Sequence, residues 1–217
     1  MKIFAIVPVK RFENAKTRLS SVLDRDDRIR LSSLMLEDTL AILSTVPSLT
    51  KVLIVSSDRR AEELARKHRA KFVDEEKEKG VNSAVALADS FCLQEAAEAT
   101  IIIPHDLPLL DESDITKAQE IAQKESQCIV ICPSYRYDGT NMLLRKPPSV
   151  ITTFYDSDSY NMHIKTAESR GVPVKYFFSK NLMYDIDTAE DALRLVKEEK
   201  GTASRSIEFL KSKFCLG

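Results

Sequence analysis

The chain has 217 residues, 43% of them hydrophobic, enough to enclose one substantial core within a single domain over residues 1–217. Its 32 Lys and Arg nearly cancel 33 Asp and Glu, for a formal net charge of −1, so the overall field favours neither a nucleic-acid backbone nor an anionic membrane, and a small molecule is the simpler partner. No run of about 18 apolar residues occurs and the apolar stretch of MKIFAIVPVK is too short for a secretory signal, which leads us to expect a soluble cytoplasmic protein.

Short β-branched runs alternate with segments whose apolar residues recur at helical spacing, and this predicts βα units around a mostly parallel sheet, the α/β class. The first strand is Ile3 to Val9. A polar loop follows, then a helix from about Asp26 to Val46 with Ile29, Leu36, Leu40 and Leu43 on one face. Lys51 to Ser56 reads as a strand, and Ala61, Leu64, Ala65 and His68 mark a helix on whose face His68 sits. A strand near Ala70 to Val73 leads through the charged run Asp74 to Lys79 into a helix with Val81, Ala84, Val85, Ala88 and Phe91 inward. Ile101 to Ile103 is a continuous apolar strand suited to the centre of a sheet, and it exits at Pro104-His105-Asp106-Leu107-Pro108. A helix starts near Asp111, and strands span Gln127 to Cys132 and Asn141 to Arg145 before the Pro147-Pro148 break. Ser159 is placed to cap a helix carrying Tyr160, His163, Ile164 and Ala167, which ends at Gly171. Val172 to Phe178 is strand-like, and Thr188 to Asp191 has the form of a capping box before a helix with Ala189, Ala192, Leu193 and Val196 aligned. A last helix starts at Thr202 or Ala203.

The cysteines, Cys92, Cys128, Cys132 and Cys215, lack C-x-x-C spacing. Cys128 and Cys132 share one strand face, ~13 Å apart at about 3.3 Å per residue, too far to bridge. They read as buried thiols.

The five glycines, Gly80, Gly139, Gly171, Gly201 and Gly217, form neither G-x-G-x-x-G nor a Walker A loop. There is also no G-x-S-x-G elbow and no H-E-x-x-H zinc helix. What remains is a basic loop after the first strand and carboxylates at the ends of two later segments. Ligands of open parallel sheets bind beyond the carboxyl ends of strands, where Lys10, Lys16, Arg18 and Asp106 should all lie. The lysines and the guanidinium fork suit a triphosphate. Asp185 and Asp187 flank Ile186, so an extended backbone would aim both carboxylates one way, and with Asp106 they suit magnesium, which combines a few carboxylates with phosphates and water. Attack of a substrate phosphate on the α-phosphorus of a nucleotide needs no base, because the phosphate is already mostly ionised at neutral pH. The residues therefore point to nucleotidyl transfer carried by alignment and charge neutralisation.

Pro8-Val9-Lys10, Ala15 to Leu19, Gly80 to Ala84, Asp106 to Leu110, Asp138-Gly139-Thr140-Asn141, Ser159-Tyr160-x-x-His163 and Asp185 to Thr188, in that order, resemble the 2-phospho-L-lactate guanylyltransferase family of deazaflavin coenzyme biosynthesis. The resemblance spans residues from about 3 to 195. It implies a nucleotide-diphospho-sugar transferase type fold, a Rossmann-like three-layer α/β/α sandwich, acting on GTP and a small phosphorylated acid with release of pyrophosphate. By position it implies that Lys10, Lys16 and Arg18 hold the triphosphate, with Lys10, Lys16 and Asp106 as the catalytic groups, while Gly80 and Asn82 approach the nucleoside. Asp106, Asp185 and Asp187 would bind magnesium, and Thr140, the backbone at Asp156 and Ser159 would receive the acceptor, 2-phospho-L-lactate, with phosphoenolpyruvate as the close alternative. A homodimer is compatible with the resemblance. The sequence departs from the family at Asp156, where glycine is frequent, and Asp158 adds a second negative charge beside the acceptor pocket; both side chains would have to turn outward. Rival readings are another nucleotidyltransferase of this fold acting on a molybdopterin or a sugar phosphate, and a catalytically silent nucleotide-binding domain.

Overall fold

The computed structural model describes residues 1–198 and 204–214; Cys215 and the start of the last helix at Thr202 or Ala203 lie outside the described residues. Seven strands, β1 (Ile3–Pro8), β2 (Leu49–Ser56), β3 (Lys71–Asp74), β4 (Ala99–Ile102), β5 (Cys128–Pro133), β6 (Thr140–Lys146) and β7 (Val174–Tyr176), form one sheet in the order β3-β2-β1-β4-β6-β5-β7. Only β6 runs against its neighbours, pairing antiparallel with β4 and β5. The helices are α1 (Arg25–Thr45), α2 (Arg59–Lys67), α3 (Val81–Gln94), α4 (Glu112–Gln123), α5 (Ser159–Ser169), α6 (Lys180–Met183), α7 (Ala189–Glu198) and α8 (Arg205–Lys213).

Alternate residues of a strand face opposite sides of the sheet, and the inner strands here are apolar on both. Ile3, Ala5 and Val7 of β1 join a core with Leu36, Leu40 and Leu43 of α1, Ala61 and Ala65 of α2, and Ile115 and Ala118 of α4. Phe4 and Ile6 join the opposite core with Val85 and Ala88 of α3 and Ala167 of α5. Cys128 and Cys132 both fall in the first core as buried free thiols. The three-layer sandwich expected from the alternation is thus present, with β4 in the middle of the sheet. A third cluster, with Leu31 and Met35 of α1, Leu195 of α7 and Ile207 and Leu210 of α8, adds the chain's last helices outside α1.

Local signals fix most element starts. Asp24 accepts the Asp27 N–H at 2.8 Å to open α1, and Thr188 and Asp191 exchange hydrogen bonds to open α7 as the capping box requires. Three expectations change. The run Val172 to Phe178 is a strand only over Val174–Tyr176 at the sheet edge, where pairing with β5 extends over three residues. Residues 185–187 are not a strand. Ser159 is not the cap of α5: Asp158 holds that position at φ +44 with no side-chain cap bond, and Ser159 is the first helical residue.

One charged pair is buried within the second core. Arg145 of β6 is 1% exposed; it donates to Asp89 of α3 at 2.9 Å and to the Thr100 hydroxyl at 3.1 Å. Removing one partner of a buried pair strands the other charge. Asp89→Ala is expected to lower the unfolding free energy by about 3–5 kcal/mol in a urea titration, and adding Arg145→Met to recover most of it. A loss below about 1 kcal/mol from the single change, the size of an exposed pair, would show that the guanidinium reaches water instead.

Candidate active site

The antiparallel course of β6 positions the site. Its first residues, Thr140 and Asn141, lie at the same sheet edge as the carboxyl ends of the parallel strands β1 and β4. A cleft of about 600 Å³ opens there, within the usual range for sites that hold a small organic ligand. Its walls are the loop after β1 (Lys10 and Asn14 to Arg18), the loop after β4 (Pro104 to Asp106), the start of β6, Ser159 at the head of α5, and Asp185, Asp187 and Thr188.

The loop after β1 is anchored at two apolar points, Phe12 and Leu19, both fully buried, and by the Phe12 N–H donating to Asp58 at 2.9 Å. Between them Lys16 adopts φ +53 in the left-handed region, a conformation uncommon for a residue with a side chain. It sends the ammonium inward: Nζ lies 2.7 Å from Asp106 Oδ2 and 3.1 Å from Asp187 Oδ1. Burial alone would lower the Lys16 pKa, but Asp106 and Asp187 outweigh it and hold it above the ordinary value. Burial likewise pushes the Asp106 carboxyl up, and the Lys16 ammonium overcomes this and holds it below the usual carboxylate range. Asp185 has no such compensation. Burial, then the neighbouring Asp106 charge, raises it to about 6, although Asn141 donates to it at 3.1 Å. Arg18 is largely exposed at the rim, 3.8 Å from Asp187, and Lys10 is an exposed wall residue.

On the opposite wall the Ser159 hydroxyl meets Thr140 Oγ1 at 3.1 Å, and Thr140 Oγ1 lies 3.0 Å from His163 Nδ1. The two residues proposed for the nucleoside are placed differently. Gly80, at φ +90, lines a small adjoining depression with Lys10. Asn82 lines neither space: its amide donates to Asp156 at 2.9 Å and its carbonyl accepts the Tyr155 N–H at 2.9 Å. Asn82 is therefore a tie between α3 and the 155–156 segment, and it draws the Asp156 carboxylate aside. Asp158 is exposed, bonded to Asn161 at 2.7 Å.

Three wall residues escaped sequence reading. Asn141 fixes the Asp185 segment, donating to Leu182 O at 2.8 Å as well as to Asp185. Buried His105 has an unpartnered Nε2, and burial lowers its pKa to about 4. Arg136, in the turn between β5 and β6, pairs with Asp191 at 2.7 Å. His105 carried a sequence signal in its place next to Asp106 and Asn141 in closing the Asp138-Gly139-Thr140-Asn141 run, whereas Arg136 carried none.

Magnesium favours hard oxygen donors and keeps water and phosphate ligands, and the donor set of the cleft fits it. Asp106, Asp185 and Asp187 offer carboxylates only, the two segments are tied by the Ile186 N–H to Asp106 O at 3.2 Å, and burial, then the Asp106 charge, raises Asp185, the second of which a cation would relieve. They do not form a closed cage: among the described residues no group of three or more His, Cys, Asp or Glu is gathered for a metal, and the Lys16 ammonium lies between two of the three.

Among known proteins, the chain matches the family model described as guanylyl transferase CofC like over residues 1–215. It is 36% identical to a phosphoenolpyruvate guanylyltransferase of Rubrobacter xylanophilus over 195 residues, covering 90% of this chain and 94% of the relative. To a 2-phospho-L-lactate guanylyltransferase of Methanothermobacter thermautotrophicus it is 35% identical over 211 residues, 97% of this chain and 91% of the relative. In structure it is similar to a protein assigned to the nucleotide-diphospho-sugar transferases from Desulfovibrio desulfuricans G20, with a TM-score of 0.81 at 17% identity, covering 100% of this chain and 97% of that one. A CMP:2-keto-3-deoxy-manno-octonic acid synthetase complexed with CTP has a TM-score of 0.62 at 10% identity, covering 90% and 97%. No helix of the described residues is long and apolar enough to cross a membrane.

Proposed function

The chain belongs to the CofC-like guanylyl transferase family, and on that premise we propose that it transfers GMP from GTP to phosphoenolpyruvate, releasing pyrophosphate, in a single nucleotidyltransferase domain over residues 1–217. Family membership makes it an enzyme of nucleotidyl transfer; the acceptor and the residue roles are our reading. The observation that carries it is one cleft with a cation held between carboxylates on one wall and a hydroxyl pair on the other. 2-Phospho-L-lactate is the second reading, favoured by the Methanothermobacter relative at nearly equal identity.

In this reading Lys10 and Arg18 take the outer phosphates of GTP, where exposed cations can accompany the leaving pyrophosphate. Lys16, fixed by its two carboxylates, neutralises charge at the reacting phosphate without having to reorganise. Asp106, Asp185 and Asp187 would hold magnesium, which when bound supplies charge neutralisation on the triphosphate. Thr140 and Ser159 receive an oxyanion of the acceptor, with the backbone N–H of Asp156 assigned as a third donor to it. The acceptor's phosphate is already ionised at neutral pH, so its oxygen attacks the α-phosphorus without a base as the bond to the β-phosphate oxygen breaks. The buried imidazoles are held neutral, pushed down to about 4 by burial, and neither is asked to move a proton.

A pyrophosphate-release assay crossing GTP, ATP and CTP with phosphoenolpyruvate and 2-phospho-L-lactate tests this. GTP with phosphoenolpyruvate is expected to give the highest kcat/KM, and a chelator to abolish turnover. Faster turnover with 2-phospho-L-lactate would replace the acceptor, and no pyrophosphate from any pair would sink the reading.

A further inference from the structure

His163 is fully buried behind the cleft wall, one turn into α5, and both its ring nitrogens are engaged. The backbone N–H of Phe154 donates to Nε2 at 2.9 Å, and Nδ1 lies 3.0 Å from Thr140 Oγ1. An amide N–H can only donate, so Nε2 must be a bare acceptor, and a neutral ring with bare Nε2 carries its proton on Nδ1. The ring also packs edge-to-face against Tyr155, with centroids 4.9 Å apart, and a flipped ring would set carbon against both the Phe154 N–H and the Thr140 hydroxyl. Nδ1–H therefore donates to Thr140.

The consequence falls on the two hydroxyls. Thr140 and Ser159 share one hydrogen bond at 3.1 Å, which uses one of their two hydrogens. The imidazole donates into the pair and takes nothing from it. Whichever hydroxyl donates to the other, one O–H is left over, and it has only the cleft to aim at, because both residues line it. We propose that His163 is a positioning residue that sets the polarity of this relay, so that the Thr140–Ser159 pair presents an obligatory donor selecting an oxyanion, the carboxylate or phosphate of the acceptor. This deepens the functional reading above and rests on it for the identity of the anion. Burial agrees with the neutral ring, lowering its pKa to about 4, and the orphan polar groups that a reversed ring would create are costly inside a protein.

Two substitutions separate the ring's two jobs. In His163→Gln the amide oxygen can take the place of Nε2 and keep the Phe154 bond, with no N–H at the Nδ1 position. In His163→Asn the amide nitrogen stands near Nδ1 and restores the donor. His163→Gln is expected to raise the KM for phosphoenolpyruvate about 10- to 100-fold, the worth of a hydrogen bond to a charged group, with the KM for GTP unchanged within about twofold. His163→Asn should recover most of that loss. Nitrogen-15 spectra of histidine-labelled wild-type protein should show His163 protonated at Nδ1 and bare at Nε2. The inference is overturned by the opposite tautomer, by an imidazolium at neutral pH, or by variants that raise both KM values together or neither. If the wild-type protein turns over no acceptor, the functional reading falls. The inference is then decided by the tautomer and by calorimetric binding of phosphoenolpyruvate, which His163→Gln should weaken and His163→Asn preserve.

Discussion

Lys16→Met is expected to cut pyrophosphate release at saturating substrate by about 100- to 1,000-fold, the cost of losing one preorganised charge at a reacting phosphate, and to destabilise the folded chain as well. Its ammonium lies 2.7 Å from Asp106 and 3.1 Å from Asp187, and methionine keeps the apolar stem while removing the charge. Asp106 is then left facing Asp185 without a counter-ion, and Asp187 keeps only the exposed Arg18 guanidinium at 3.8 Å. Breaking a buried pair from one side costs about 3–5 kcal/mol, so a clear fall in Tm is expected in metal-free buffer. Adding Asp106→Asn should recover much of the Tm and none of the activity.

The pH dependence supplies the sign. In the wild type the Asp106 pKa is depressed by Lys16 against the opposing effect of burial. That group's stabilisation is present above its unfolded value near 3.8 and is lost as pH falls through the lower folded value. In Lys16→Met the depressing charge is gone and burial pushes the carboxyl up instead. The variant should therefore gain stability as pH falls from 7 toward 4 more steeply than the wild type, in which the raised Asp185 contributes in that range and Asp106 does not. Tm measured against pH for both proteins checks this; parallel slopes would mean that Lys16 points to solvent.

Asp185→Asn should show the opposite pairing of effects, with activity lost and stability gained. Burial and the neighbouring Asp106 charge push Asp185 up to about 6 from an ordinary value of 3.8, so the folded state binds its proton more tightly than the unfolded state does. Stability then drops as pH rises from about 4 to 6 and stays reduced above that, by about 2–3 kcal/mol from a shift of roughly two units. The amide is isosteric and neutral, so the metal-free variant should melt higher than the wild type above pH ~6 and no differently near pH ~4. With a donor to the cation gone, turnover should fall by about 100-fold or more, as for loss of other groups that stabilise transition-state charge. A variant of unchanged Tm at neutral pH would place the Asp185 carboxylate in water, and one of full activity would remove it from the proposed magnesium set.

Much of this layout was legible because it depends on local pattern. The alternation of β-branched and helical-period segments is a short-range property, and it placed all seven strands within a few residues of where they form. The basic loop and Asp106 were found at strand exits for the same reason. The ties Asn82 makes were not legible, because its two hydrogen bonds go to Tyr155 and Asp156, more than seventy residues away. Ser159 misled because Ser ahead of a helical run is the usual signature of a cap, while the actual cap position is taken by Asp158 in a left-handed turn.

The amino-acid sequence alone determined the class of fold, the absence of a phosphate-binding glycine loop, and which carboxylates and cations stand at the ends of strands, since each of these follows from residue type and spacing along the chain. Tertiary structure decided that β6 runs antiparallel and so brings Thr140 to the cleft, that Lys16 lies between Asp106 and Asp187, and that His163 backs the hydroxyl pair. Those contacts join residues from 23 to 171 positions apart, and charge pairing and hydrogen-bond direction across such distances exist only once the sheet has brought the segments together.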